Sequence, residues 1–214
     1  MADNIIEIKN LTKKFKEETV VSDVTVSFER GKIHGVVGRN GSGKTMIFKM
    51  VCGFIPPTDG EIYVNGKKIG EDTDVPDDVG IIIEAPGFLP NYDGFHNLKF
   101  LAAINGKISD EQIRETIKLV GLDPDSKKHV GKYSMGMRQR LGIAQAIMED
   151  PGLLILDEPF NGLDISGVEE IRSLLLSLKE KGKTILVASH YKEDVDFLCD
   201  TVIRMDKGKI VEKS

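Results

Sequence analysis

Three hydrophobic patterns follow one another along the chain. Up to about residue 70, apolar positions alternate with polar ones or form short runs. IIEIKN (residues 5–10), VTVSF (24–28) and IHGVV (33–37) are of this kind and predict strands. EIYVNGKKI (61–69) sets Asn65-Gly66 between two strand-like runs and predicts a hairpin. TMIFKMVCGF (45–54) predicts a helix that closes near Gly53, ahead of Pro56-Pro57. From about 85 to 150 the spacing turns helical. In SDEQIRETIKLVG (109–121), Ile113, Ile117 and Val120 recur at helical intervals, with Ser109 or Asp110 to cap the start and Gly121 the end. GMRQRLGIAQAIM (136–148) predicts a second helix, halted by Asp150-Pro151. The last third alternates strand and helix again. LLIL (153–156) and TILVA (184–188) are buried-strand patterns, 166–181 is a helix with Leu174, Leu175 and Leu178 inward, and TVIRM-DKG-KIVEK (201–213) is a hairpin.

Strands alternating with helices imply a mainly parallel sheet, while the β-rich start and the closing hairpin add an antiparallel part. The expected architecture is one α/β domain. Its core and β subdomain span about 1–84 and 151–214, and the helical stretch of about 85–150 is inserted, since no glycine-rich linker brackets it.

Composition narrows the picture modestly. A chain of 214 residues, 40% hydrophobic and 29% charged, can bury a sizeable core without staples. A net charge of −5 argues against a sequence-independent grip on nucleic acid, which needs a basic face. Cys52 and Cys199 read as reduced core thiols. MADNIIEIKN has neither a basic n-region nor an apolar h-region, so it does not read as a signal peptide. No apolar run approaches the roughly 18 residues that cross a bilayer, so work at a membrane falls to another chain. EDTDVPDD (71–78) lacks the ordered spacing of a calcium loop and reads as a solvated segment.

The candidate chemistry begins at GRNGSGKT (38–45), which matches G-x-x-x-x-G-K-[ST] with a strand before it and a helix after it. Gly38, Gly41 and Gly43 let the backbone turn tightly and aim successive N–H groups inward. With the positive end of the following helix they form an anion cradle. Lys44 then reaches β- and γ-phosphates, and the Thr45 hydroxyl ligates Mg²⁺. LLILDEP (153–159) supplies the second half: a strand that delivers Asp157 at the sheet edge as a Mg²⁺ partner, followed by Glu158 as general base for the attacking water. The bound triphosphate is thus expected to be hydrolysed. YSMGMRQR (133–140) heads a helix. Either its N-terminus receives an anion beside Ser134 and Gly136, or Ser134 is an ordinary N-cap with Arg138 on the surface.

Taken together and in order, these stretches resemble the ATP-binding subunits of ABC transporters over nearly the whole chain. GRNGSGKT resembles the Walker A motif and LLILDE Walker B. YSMGMRQR is similar to the signature motif that usually reads LSGGQ, with Tyr133, Met135 and Met137 as departures. NGLD, ending at Asp164, resembles the D-loop, and His190 in VASH the switch histidine. Phe15 in TKKFKE falls where the family stacks an aromatic on adenine, the alternative being a core side chain. The resemblance implies that nucleotide meets Phe15, Gly38, Arg39, Asn40, Gly41, Ser42, Gly43, Lys44, Thr45 and Met46 of one subunit and Ser134, Gly136 and Asp164 at the interface with a second. It implies a head-to-tail dimer around two ATP molecules, homomeric or heteromeric, that drives a separate permease from the cytoplasmic face and touches no nucleic acid. His190 would contact the γ-phosphate and orient Glu158 or the water.

One departure narrows the family. Between Thr45 and Gln112 there is no glutamine where the family has one to contact Mg²⁺ and water, and Glu84, in GIIIEAPGFLPNYDG, stands at the matching place. A carboxylate there can still bind the ion or the water, but it adds negative charge beside the triphosphate. Glu84 and the YS-x-GM signature are similar to the ATPases of bacitracin and lantibiotic exporters and immunity transporters. By the same resemblance the segment from Phe88 to Leu98, with the helical insertion, receives the permease. Two rival readings are a soluble ABC-type ATPase acting on ribosomes or nucleic acid, and a P-loop kinase, which leaves 133–140 unexplained.

Overall fold

The computed structural model describes residues 3–190, 195 and 197–213. Its elements run β1 (Asn4–Phe15), β2 (Glu18–Glu29), β3 (Ile33–Val37), α1 (Lys44–Val51), β4 (Asp59–Val64), β5 (Lys67–Lys68) and β6 (Val79–Ile82). There follow α2 (Gly94–Asn105), α3 (Asp110–Leu119), α4 (Met135–Ile147), β7 (Leu153–Asp157), α5 (Ile165–Glu180), β8 (Thr184–Ser189), β9 (Thr201–Asp206) and β10 (Lys209–Lys213). They build two sheets. One is antiparallel in the order β2-β1-β4-β5, and the other runs β10-β9-β3-β8-β7-β6. In the second, β9, β3, β8, β7 and β6 are parallel, and only the closing hairpin strand β10 is antiparallel. This is the α/β architecture that the hydrophobic pattern implied.

The period of two in the buried strands sorts their side chains onto two cores. Leu154 and Leu156 of β7 join Ile185 and Val187 of β8 beneath α2 to α5. Leu153, Ile155, Leu186 and Ala188 face the other way, onto α1 and the antiparallel sheet. The three helices between β6 and β7 therefore share a core with one face of the parallel sheet. Contact is close: an added Cβ at Gly80 of β6 would overlap the carbonyl oxygen of Ala146 in α4. The approach brings α4 flush against the sheet and fixes its head relative to the strand ends.

Two elements differ from their sequence pattern. β1 continues past IIEIKN to Phe15, because register shifts against β2 after Ile8 and a left-handed backbone at Asn10 (φ 50°) absorb the break in alternation. α2 shows no clean apolar stripe, yet it buries Phe95, Leu98 and Ala102. Asp93 caps it by accepting from the His96 N–H at 2.9 Å, and left-handed Gly106 ends it. In α5, Ile171, Leu175 and Leu178 are the buried positions, and Leu174 is half-buried beside them. Of the two caps the sequence offered, Ser109 is the one used, and it forms a full box in which Ser109 and Gln112 cap each other's backbone.

Candidate nucleotide site

β3 lies between β9 and β8, so its C-terminal end opens at the middle of the sheet edge, where open α/β sheets place their ligands. The chain turns there through residues 38–43 into α1. Gly43 caps α1 in a left-handed conformation (φ 104°), and no side chain caps that helix. The first N–H groups of α1 therefore stay open to an anion. Arg39, Asn40 and Gly41 are exposed on the loop, and Met46 packs against the core below. Lys44, only 5% exposed, folds back so that Nζ donates to the Gly38 carbonyl at 2.7 Å and to Arg39 at 3.3 Å. The buried Ser42 hydroxyl makes no hydrogen bond among the described residues. A buried ammonium resting on carbonyls and an unpartnered hydroxyl form a cradle fitted to a phosphate.

The end of β7 supplies the carboxylates. Thr45 Oγ1 donates to Asp157 Oδ2 at 2.6 Å, joining the two halves of the predicted cation site across 112 residues. The other oxygen, Asp157 Oδ1, is buried without a partner among the described residues. Burial pushes the Asp157 carboxyl above its ordinary range. The Thr45 hydrogen bond opposes this, the charge on Glu158 adds to it, Lys44 opposes it and Glu84 adds again. A hydroxyl, a carboxylate with a free oxygen and surplus negative potential fit Mg²⁺, which takes few protein ligands and completes its shell with phosphate oxygens and water.

Glu158 follows in a left-handed conformation (φ 51°), an uncommon backbone state for a residue with a side chain. Its Oε1 lies 3.7 Å from Lys44 Nζ, and its Oε2 accepts from His190 Nδ1 at 2.8 Å. A carboxylate only accepts, so Nδ1 carries the proton in this contact. The resemblance implied that His190 contacts the γ-phosphate and orients Glu158 or the water, and this hydrogen bond joins His190 to Glu158. Gln139 of α4, unmarked by the sequence reading, donates from Nε2 to the Glu158 carbonyl at 3.2 Å and pins that turn. Glu84 lines one cavity of about 580 Å³ with Asp157 and Glu158, but its carboxylate rests on Lys49 Nζ of α1 at 2.5 Å. Lys49 was also missed. Its signal was position, four residues after Thr45 on the same helix face.

The remaining predicted residues stand apart from this group. Phe15 is 47% exposed at the end of β1, with Lys13 Nζ 4.9 Å from its ring centre, so the alternative of a core aromatic is wrong. Ser134 caps α4, its Oγ accepting from the Met137 N–H at 3.2 Å, and it is exposed, as is Arg138. Gly136 abuts the turn after β7, where an added Cβ would lie 2.7 Å from the Gly162 carbonyl oxygen. Asp164 caps α5 through the Gly167 N–H at 2.9 Å. Among the described residues no hydrogen bond or ion pair links Ser134 or Gly136 to residues 38–46.

A glycine loop between strand and helix, a lysine, and a Thr–Asp pair with an adjacent carboxylate define a P-loop nucleoside triphosphatase. The chain belongs to the ABC transporter family, whose profile matches residues 21–161. It is 46% identical over 206 residues to YybJ of Bacillus subtilis, an uncharacterised ABC transporter ATP-binding protein, covering 96% of this chain and 94% of that one. It is 44% identical over 211 residues to the bacitracin transport ATP-binding protein BcrA of Enterococcus faecalis, covering 98% of this chain and 68% of the relative. Among solved structures, a dimeric bacterial ABC transporter cassette matches with a TM-score of 0.88 at 25% identity, over 98% of this chain and 97% of the other. cbiO1 of Clostridium perfringens, part of the transporter complex cbiONQ, matches with a TM-score of 0.85 at 26% identity, over 99% and 88%. The chain is the nucleotide-binding, ATP-hydrolysing subunit of an ABC transporter. The ribosome or nucleic-acid reading loses ground to these relatives. Among the described residues no helix is long and apolar enough to cross a membrane.

Proposed function

We propose that this chain hydrolyses Mg-ATP at a site shared with a second ATPase subunit, identical or related, and so drives a separate permease that exports an antimicrobial peptide or drug. The observation that carries the shared site is the contrast between a converged set, Lys44, Thr45, Asp157, Glu158 and His190, and an exposed capped helix head at Ser134 that this set does not engage. Lys44 and the loop N–H groups hold the triphosphate, and Phe15 stacks on the base. Thr45 and Asp157 would hold Mg²⁺, which would supply positive charge to offset that of the triphosphate. Glu158, steadied by His190, takes a proton from the attacking water. Ser134 and Gly136 of the second subunit, with Asp164 beside them, close over the γ-phosphate. There the N-terminal end of α4 does the work that an added cation does in other triphosphatases.

Residues 85–150 act in this reading as a helical insertion on the 1–84 and 151–214 body. A groove of about 720 Å³ runs between that insertion and the sheet, flanked by Phe54, Val75, Leu101 and Ile104, and it suits an amphipathic segment of the permease at the cytoplasmic face. Ala85 and Pro86 line both this groove and the carboxylate cavity. Similarity to BcrA supports the peptide-export reading.

Purified chain should hydrolyse ATP only with Mg²⁺, and its specific activity should fall on dilution as pairs separate. Activity independent of protein concentration would remove the shared site. Cells deprived of the chain should become more sensitive to bacitracin or a lantibiotic, and unchanged sensitivity to both would remove the export assignment.

A further inference from the structure

We infer that Lys49 is a positioning residue for hydrolysis: it holds the Glu84 carboxylate clear of the triphosphate until the cation arrives. The inference rests on the ATPase reading of this same site.

The placement of Glu84 is symmetrical with that of Glu158. β6 and β7 are neighbouring parallel strands whose last paired positions are Ile82 and Leu156. Two residues beyond each stand Glu84 and Glu158, both in left-handed backbone conformations at φ 62° and φ 51°. Two carboxylates are thus set side by side at one height of the sheet edge, beside Asp157. Each has its own lysine from α1. Lys44 lies 3.7 Å from Glu158, and Lys49, further along that helix, lies 2.5 Å from Glu84.

Stability does not account for the second pair. The Glu84 side chain is 64% exposed and that of Lys49 23%, and an ion pair so open to solvent contributes little to folding. Its consequence is where the negative charge sits. A third free carboxylate beside Asp157 and Glu158 would repel a triphosphate that lacks its metal. On Lys49 that charge is paired with an ammonium, while Glu84 still lines the cavity. Mg²⁺ offers Glu84 a competing partner within the same cavity, so Lys49 sets how readily the carboxylate transfers.

The test compares the full chain with Lys49→Met, Lys49→Arg, Glu84→Gln and the double variant Lys49→Met/Glu84→Gln. One readout is affinity for a fluorescent ATP analogue in excess EDTA. The other is the Mg²⁺ concentration that gives half-maximal ATPase. Lys49→Met is expected to weaken metal-free binding about fivefold and to lower the Mg²⁺ midpoint by a similar factor. Lys49→Arg should keep both near wild type, and thermal midpoints should hardly move. With Glu84→Gln already present, Lys49→Met should change either value less than about twofold. Wild-type values in Lys49→Met, or an equal effect in both backgrounds, would overturn the inference. A wild-type chain that binds nucleotide but never hydrolyses it would instead overturn the ATPase reading, and the EDTA measurement would still decide the role of Lys49.

Discussion

Two helix starts figure in the proposed site, and they differ in how far the chain completes them. α1 begins at Gly43 without a side-chain cap, and around it Lys44, Thr45 and Ser42 are buried or engaged by the chain's own groups. α4 begins at Ser134, which caps its own helix, and the next side chain, Met135, is 67% exposed. A buried lysine and an orphaned carboxylate oxygen are costly unless a ligand is expected, so the first site is specified within one chain. An exposed cap costs nothing when empty, so the second can wait for a partner. On the proposed shared site, the chemistry of holding ATP is local and the chemistry of closing over it is intermolecular.

The comparison can be broken most severely at Glu158. Glu158→Gln is expected to lower turnover by about 10²–10⁴-fold while ATP-stabilised pairs accumulate in size-exclusion chromatography. Unchanged hydrolysis would take the base role from Glu158. Next in size is Ser134→Arg, expected to lower the pair-dependent rate by about a hundredfold while nucleotide binding to the monomer is preserved. An equal loss of monomer binding would place both helix starts on one nucleotide within one chain. Phe15→Ala sharpens the contrast from the other side. It should weaken ATP binding by about tenfold in the monomer, read by equilibrium binding, and leave pairing at saturating ATP unaffected.

The smallest effect lies away from both helix starts and serves as their control. His34 is buried, with Nε2 donating to the Glu29 carbonyl at 2.8 Å and Nδ1 2.6 Å from the Thr201 hydroxyl. Burial lowers its pKa below the usual 6.5, and the Glu29 carbonyl and Asp200 only partly offset that. The unfolded chain therefore binds the proton first. The stabilisation is complete above about 6.5 and is lost as pH falls from there through the lower folded value. Urea midpoints of the wild type should drop across that window, and those of His34→Gln should drop less.

Much of this was legible in the sequence because it rests on local rules. A glycine loop between strand and helix, an apolar run ending in Asp157-Glu158, and a Ser-x-x-Gln box at Ser109 each declare their structure within a few residues. What was hidden depends on tertiary placement. α2 buries Phe95, Leu98 and Ala102, but exposed Phe100 and Ile104 blur its stripe. Gln139 meets the Glu158 carbonyl only because Gly80 lets α4 lie flush on β6. The Lys49–Glu84 pair exists because β6 and β7 end level, a fact of register and not of spacing. Phe15 was ambiguous because an aromatic at a strand end is read as core unless its exposure is known.

The most direct test is the structure of the Glu158→Gln variant with ATP bound. A shared site requires each γ-phosphate to lie between Lys44 of one subunit and Ser134 of the other. A triphosphate met by both residues of a single polypeptide, or a closed ATP complex in which residues 134–136 touch no nucleotide, would contradict it.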